Sequence, residues 1–192
     1  MTRNTEHMSD LLQILIEALD IPPSYYRKAA DRYKSLGTWL HREESAVAGF
    51  DPQVYPQGSF RYGTVIRPLD KNEEYDLDLV CELALPETAQ SQEQLKNLVG
   101  HEVKEYAEAN GMKEPAKEKP RCWRLNYADD VSFHMDILPA IPEEDAFTTL
   151  LVRHGVPKEL ADLSVAITDK RHPMYSDISR EWPCSNPRGF AQ

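Results

Sequence analysis

Residues 74–82 constrain this fold more than any other stretch. Tyr75, Leu77 and Leu79 take one parity of a strand, and Asp76, Asp78 and Val80 take the other. Side chains two apart on a strand point to the same face, so Asp76 and Asp78 must stand side by side. Two carboxylates held that close repel each other unless a cation lies between them. The hard-cation answer is Mg²⁺ or Mn²⁺, which take oxygen ligands and use one or two carboxylates together with substrate phosphates.

Two further pieces fit this one. Asp136 stands between Met135 and Ile137 in the run 131–138. An acid in such an apolar run is more often a ligand or a buried partner than a solvated side chain. If the two strands are neighbours, Asp76, Asp78 and Asp136 converge on a pair of metals. Upstream, Gln57, Gly58 and Ser59 follow a short strand candidate at 53–55. Glycine permits close backbone approach, and the amides and hydroxyl after it can face phosphate oxygens. Only sixteen residues separate Ser59 from Asp76, a span that a strand–turn–strand path can close. Taken singly, a Gly-Ser is a turn, an Asp-x-Asp a solvated pair, and a strand aspartate an ion-pair partner. Their order and spacing together carry the reading.

The remaining pattern predicts helices around a sheet. Leu11, Leu12, Leu15, Ile16 and Leu19 recur at helical spacing after Ser9, a candidate N-cap. Pro22 and Pro23 stop that helix, Ser24 is a candidate cap for the next, and Tyr25, Tyr26, Ala29, Ala30, Tyr33, Leu36 and Leu40 stripe it to about Ala46. Leu95, Leu98, Val99, Val103, Tyr106 and Ala107 mark a later helix stopped by Gly111. Residues 121–127 and 131–138 read as a hairpin turned at Ala128, Asp129 and Asp130, and Pro157 to Leu163 as a short helix. The expected organisation is an N-terminal helical segment, 1–48, and a catalytic core, 49–192.

With 192 residues and a net charge of −10, the chain lacks the basic surface that holds a long nucleic acid by charge alone. Cys81, Cys122 and Cys184 are far apart and form no CxxC pair, which argues against a disulfide scaffold or a zinc site and fits a reducing cytoplasm. The stretch from Leu11 to Leu19 is too short and too interrupted for a signal peptide or a membrane span.

The string from Gln57 to Pro68, Glu74 to Val80, Met135 to Ala140, Ile167 to Lys170 and Ser185 to Phe190 resembles the bacterial cyclic-oligonucleotide synthases related to cGAS, the CD-NTases. These lie within the DNA polymerase β-like nucleotidyltransferase superfamily. The resemblance is specific at the first two motifs and weaker in the tail. It implies an α+β palm with a mixed, mainly antiparallel sheet flanked by helices and preceded by N-terminal helices. It implies two Mg²⁺ or Mn²⁺ ions on Asp76, Asp78 and Asp136, and a phosphate-binding turn at Gly58 and Ser59 preceded by Gln57. It further implies NTP substrates, a cyclic or short linear oligonucleotide product, and a separate effector protein that answers it in anti-phage signalling. Family members run well beyond this length, so the C-terminal helical lobe is expected to be largely absent from these residues.

Other residues carry blander expectations. His134 shares the parity of Asp136, and a structural hydrogen bond is favoured over metal ligation because hard cations prefer oxygen. Arg61 and Arg67 flank the turn, where phosphate contact and solvation are both open. Lys117, Lys119, Arg121 and Arg124 form a basic run whose default is a solvated loop. Trp39, Trp123, Trp182 and the early tyrosines are assigned to packing. Two alternatives stand beside the leading function: a nucleotidyltransferase acting on RNA, a small molecule or a protein, and a nucleotide-binding module without turnover.

Overall fold

The computed structural model describes residues 2–67, 74–128, 132–144 and 146–192. Its centre is a seven-stranded sheet. The strands are β1 (Gln53–Pro56), β2 (Tyr75–Glu82), β3 (Lys117–Glu118), β4 (Trp123–Ala128), β5 (Ser132–Pro142), β6 (Val165–Ile167) and β7 (Cys184–Ser185). The main path runs β1-β2-β5-β4-β3, and β6 joins the far end of β5 and carries β7. Among the described residues only β2 and β5 pair in parallel; the other ladders are antiparallel. This is the mixed, mainly antiparallel palm expected from the resemblance.

The two faces of the sheet divide as the alternation requires. Tyr75, Leu77 and Leu79 of β2 and Phe133, Met135 and Ile137 of β5 point into the main core. Above them lie α2 (Pro23–Leu40) and α4 (Gln92–Ala109). Val80, Leu138, Ala140, Val165 and Ile167 form a smaller cluster on the opposite face, beyond the acids. Ile21, Ala29, Leu36, Leu40 and Val47 belong to the main core, so α2 and its flanks share one interior with the sheet.

Helix α4 starts at a capping box. Ser91 Oγ accepts from the Gln94 amide at 3.2 Å, and the Ser91 amide donates to Gln94 Oε1 at 2.9 Å. The helix seats on the sheet through Gly100, where an added Cβ would lie 2.3 Å from the Trp123 ring. Trp123 Nε1 donates to the Lys96 carbonyl at 2.9 Å, which fixes the indole under the helix.

Some boundaries differ from the sequence reading. Helix α1 (Thr2–Leu19) begins before Ser9, and α2 begins with Pro23 in its first turn and Pro22 as the N-cap, so Ser24 is not the cap. Helix α2 ends at Leu40 rather than near Ala46. Arg42 is drawn onto α4 by Glu102 at 2.5 Å and Glu105 at 2.8 Å, and the Ala46 amide donates to Glu102 Oε1 at 2.7 Å. Those bonds pull residues 42–46 off the helical path. The short helix at 157–163 narrows to α6 (Lys158–Ala161), and an unanticipated α5 (Ala146–Arg153) precedes it. Glu143 caps α5, accepting from the Phe147 amide at 2.6 Å and the Thr148 amide at 3.0 Å. Asp129 and Asp130, assigned to the hairpin turn, lie outside the described residues, as does Pro68.

The three cysteines are free thiols. Burial pushes each up to about 12, so none is a thiolate at neutral pH. Among the described residues no helix is long and apolar enough to cross a membrane.

Candidate active site

The parallel pairing of β2 with β5 brings the three aspartates together. Asp78 lies directly across from Asp136, and Asp76 across from His134. One carboxylate oxygen from each of Asp76, Asp78 and Asp136 lies within 4.8 Å of the others. Asp76 is exposed, while Asp78 and Asp136 are half-buried. The cluster is thus reachable from solvent at one end and walled at the other.

Its electrostatics are those of an acid cluster short of positive charge. Burial first, then Asp76 and Asp136, pushes the Asp78 carboxyl up to about 6. Burial and then Asp136 also raise Asp76. Both shifts express the cost of holding like charges in a partly desolvated site. Oxygen-only donors, converging and repelling, fit a hard divalent cation.

The Gly-Ser turn abuts this cluster. Strand β1 pairs with β2 so that Pro56 faces Leu79, and the Gln57 amide then donates to the Asp78 carbonyl at 2.8 Å. Gly58 follows at φ +63°, and an added Cβ there would sit 2.6 Å from Asp78 Oδ2. Position 58 therefore requires glycine twice, for its backbone and for its neighbour. Ser59 lies in the one-turn helix α3 (Gly58–Tyr62), closed by the Thr64 amide on the Ser59 carbonyl at 3.0 Å. Phe60 anchors this turn edge-on to Tyr26 of α2, ring centroids 5.3 Å apart. Gln57, Gly58, Ser59 and the three acids are thus gathered at one end of β1, β2 and β5.

The flanking residues sort themselves. His134 Nδ1 lies 3.0 Å from Asn126 Oδ1 and 2.8 Å from Glu74 Oε2, a hydrogen-bonding position beside the acids. Arg67 donates to the Asp20 carbonyl at 3.0 Å, and Arg61 is exposed. Lys117 pairs with Glu114 at 2.6 Å and Arg121 with Asp169 at 2.8 Å. The indoles of Trp39, Trp123 and Trp182 each donate to a backbone carbonyl and pack at the core.

Arg124 departs from its expected place in a solvated run. On β4 it lies directly opposite Asp136. Its Nε donates to Asp136 Oδ1 at 2.6 Å and its Nη2 to Oδ2 at 2.7 Å, with Nη2 also 3.7 Å from Asp76 Oδ1. The Asp136 hydrogen bond pushes the Arg124 guanidinium further above its already high ordinary pKa. The sequence-read hairpin, turned at Ala128, Asp129 and Asp130, sets 124 against 134, whereas the observed register shifts its partner to Asp136.

Residues 52–139 match the family model described as cyclic GMP-AMP synthase DncV-like, nucleotidyltransferase domain. A c-di-GMP synthase of Roseivirga ehrenbergii is 28% identical over 183 residues, 95% of this chain and 42% of that protein. The cyclic dinucleotide synthase CdnG of Bradyrhizobium diazoefficiens is 29% identical over 122 residues, 64% of this chain and 27% of that protein. The chain therefore spans less than half the length of these relatives. Among solved structures, the B. diazoefficiens CD-NTase CdnG in complex with GTP superposes with a TM-score of 0.64 at 22% identity, over 91% of this chain and 42% of that one. Vibrio cholerae DncV with the linear intermediate 5′ pppA(3′,5′)pG gives 0.60 at 16% identity, over 90% and 55%. At those identities the structures establish a shared fold. β1, the Gly-Ser turn and all three aspartates lie inside the span that matches this family model, residues 52–139.

Proposed function

We propose that this chain is the catalytic core of a nucleotidyltransferase that joins NTPs into a cyclic or short linear oligonucleotide messenger. The observation that carries the reading is the convergence of Asp76, Asp78 and Asp136 against a Gly-Ser turn that leaves no room for a Cβ at Gly58 beside Asp78. In the reaction, a ribose hydroxyl oxygen bonds to the α-phosphorus of an NTP. The bond from that phosphorus to its bridging oxygen breaks in line, pyrophosphate departs, and the hydroxyl proton is released.

Asp76, Asp78 and Asp136 are the residues that would hold Mg²⁺ or Mn²⁺, two per site. When bound, such a pair lowers the pKa of the attacking hydroxyl and neutralises the departing pyrophosphate. Asp76 and Asp78 would serve both ions, and Asp136 the ion nearer the nucleophile. Gly58 lets the backbone approach the triphosphate closely, Ser59 offers a hydroxyl and an amide to its oxygens, and Gln57 lines the approach. Segment 1–48 would act as a buttress to core 49–192, a role supported by Tyr26 of α2 against Phe60. The setting would be the cytoplasm of a phage-exposed bacterium, with an effector protein responding to the product.

The test is incubation with all four NTPs and Mg²⁺ or Mn²⁺, followed by resolution of phosphatase-resistant products. Cyclic products that disappear in Asp76→Ala support the proposal. Metal-dependent nucleotide binding without turnover would assign these residues a binding role. A folded sample that binds no metal–NTP would overturn the reading.

A further inference from the structure

Asp78, Asp136 and Arg124 form one row across β2, β5 and β4, each directly opposite the next. The row carries two acids and then a cation, on the face that also holds Asp76. Arg124 engages both oxygens of Asp136 in a planar fork and reaches toward Asp76. Its side chain is 22% exposed and that of Asp136 14%, so the pair is partly shielded from bulk solvent. Three carboxylates and one guanidinium leave the cluster at −2. A divalent cation drawn to Asp136 meets a carboxylate whose two oxygens already accept from Arg124, and a like charge a few ångströms away.

We propose that Arg124 is the resident counter-ion of this acidic site and competes with divalent metal for Asp136. Metal loading then requires the fork to release Asp136 in whole or part. The bare cluster binds free metal weakly for that reason. A cation arriving with a triphosphate binds better, because the phosphates bring negative charge that the released guanidinium can meet. The inference rests on the nucleotidyltransferase reading only in taking the three acids as the metal donors. It adds that a residue outside the donor set governs their affinity.

The experiment measures Mn²⁺ alone, without nucleotide, by the paramagnetic resonance signal of free Mn²⁺ on titration into the full chain. Wild type is compared with R124Q and R124K, and each is melted in EDTA and in Mn²⁺. Removing a unit charge this close to a metal site should tighten Mn²⁺ binding in R124Q by about tenfold or more. R124K keeps the charge but loses the bidentate fork, so it should fall between. R124Q should melt lower than wild type in EDTA and recover in Mn²⁺, since Asp136 then loses its bidentate counter-ion. Equal or weaker Mn²⁺ binding by natively folded R124Q would overturn the proposal and assign Arg124 to holding Asp136 in place. If R124Q does not fold in EDTA, R124K decides: tighter binding than wild type supports the proposal, and unchanged or weaker binding overturns it. Binding by none of the proteins would instead remove the metal site itself, a failure separable from the first.

Discussion

Asp78→Asn should stabilise the metal-free protein while impairing metal binding. The Asp78 carboxyl is pushed up to about 6 by burial and by its two acidic neighbours. In an unfolded chain it would titrate near ~3.9, so folding at neutral pH works against about 2 units, ~3 kcal/mol at most. Solvent still reaches Asp78, and screening reduces the figure to about 1–2 kcal/mol. The sign follows from the direction of the shift. A raised carboxyl pKa costs nothing when both states are protonated, below about pH 4, and its full penalty above about pH 6. The near-isosteric amide removes that penalty. In EDTA at pH 7.5, D78N should melt about 2–8 °C above wild type, and the gap should close as pH falls through 6 toward 4. In Mn²⁺ the order should narrow or reverse, because wild type gains a ligand that the variant has lost. Circular-dichroism melts at four pH values, with and without Mn²⁺, decide the matter. An EDTA gap that is absent, negative or independent of pH would refute the claim that like-charge crowding and burial dominate at Asp78.

Gly58→Ala places a Cβ 2.6 Å from Asp78 Oδ2 at a φ of +63°; the left-handed backbone alone costs about 1–2 kcal/mol, so a lower melting temperature and loss of NTP turnover should appear together. Gly100→Ala drives a methyl into the Trp123 ring at 2.3 Å; a loss of about 1–3 kcal/mol in urea unfolding is expected, with Mn²⁺ affinity little changed. Glu82 accepts from Tyr55 Oη at 2.7 Å and from Arg188 Nη2 at 2.8 Å, tying the tail to the strand that leads into the turn. Glu82→Gln should cost about 1–3 kcal/mol in the same assay by leaving the half-buried Arg188 without its carboxylate.

The acids, the turn and the main helices were legible because each leaves a local mark. Asp76 and Asp78 break one parity of a strand, and Asp136 interrupts an apolar run. Other features have no local mark. The β2–β5 pairing joins segments more than fifty residues apart, and only the finished sheet shows it to be parallel and in register at Asp78 and Asp136. The end of α2 is set by Glu102 and Glu105, some sixty residues away. The stripe Leu11, Leu12, Leu15 and Ile16 correctly announces a helix, yet all four remain exposed, because periodicity reports an apolar face and not what covers it. Strands β6 and β7, three and two residues long, are too short to show a period.

What holds Asp78 opposite Asp136 is not the site. Directly opposed like charges on neighbouring strands are unfavourable, by about 0.2–1 kcal/mol in exposed pairs and more when desolvated. The same register sets Tyr75 against Phe133, Leu77 against Met135 and Leu79 against Ile137 on the other face, and all six are buried. Each is worth about 1.5–3 kcal/mol on burial, so the apolar face outweighs the repulsion several times over. A slip of one residue would turn that entire face outward. The core therefore enforces an alignment that the acids oppose, and the unrelieved repulsion is left as affinity for a cation. Of the charges that can answer it, Arg124 is built into the next strand, and a metal must come from solution. On the proposed reading, Arg124 of β4 would thus set how strongly the three acids draw in metal.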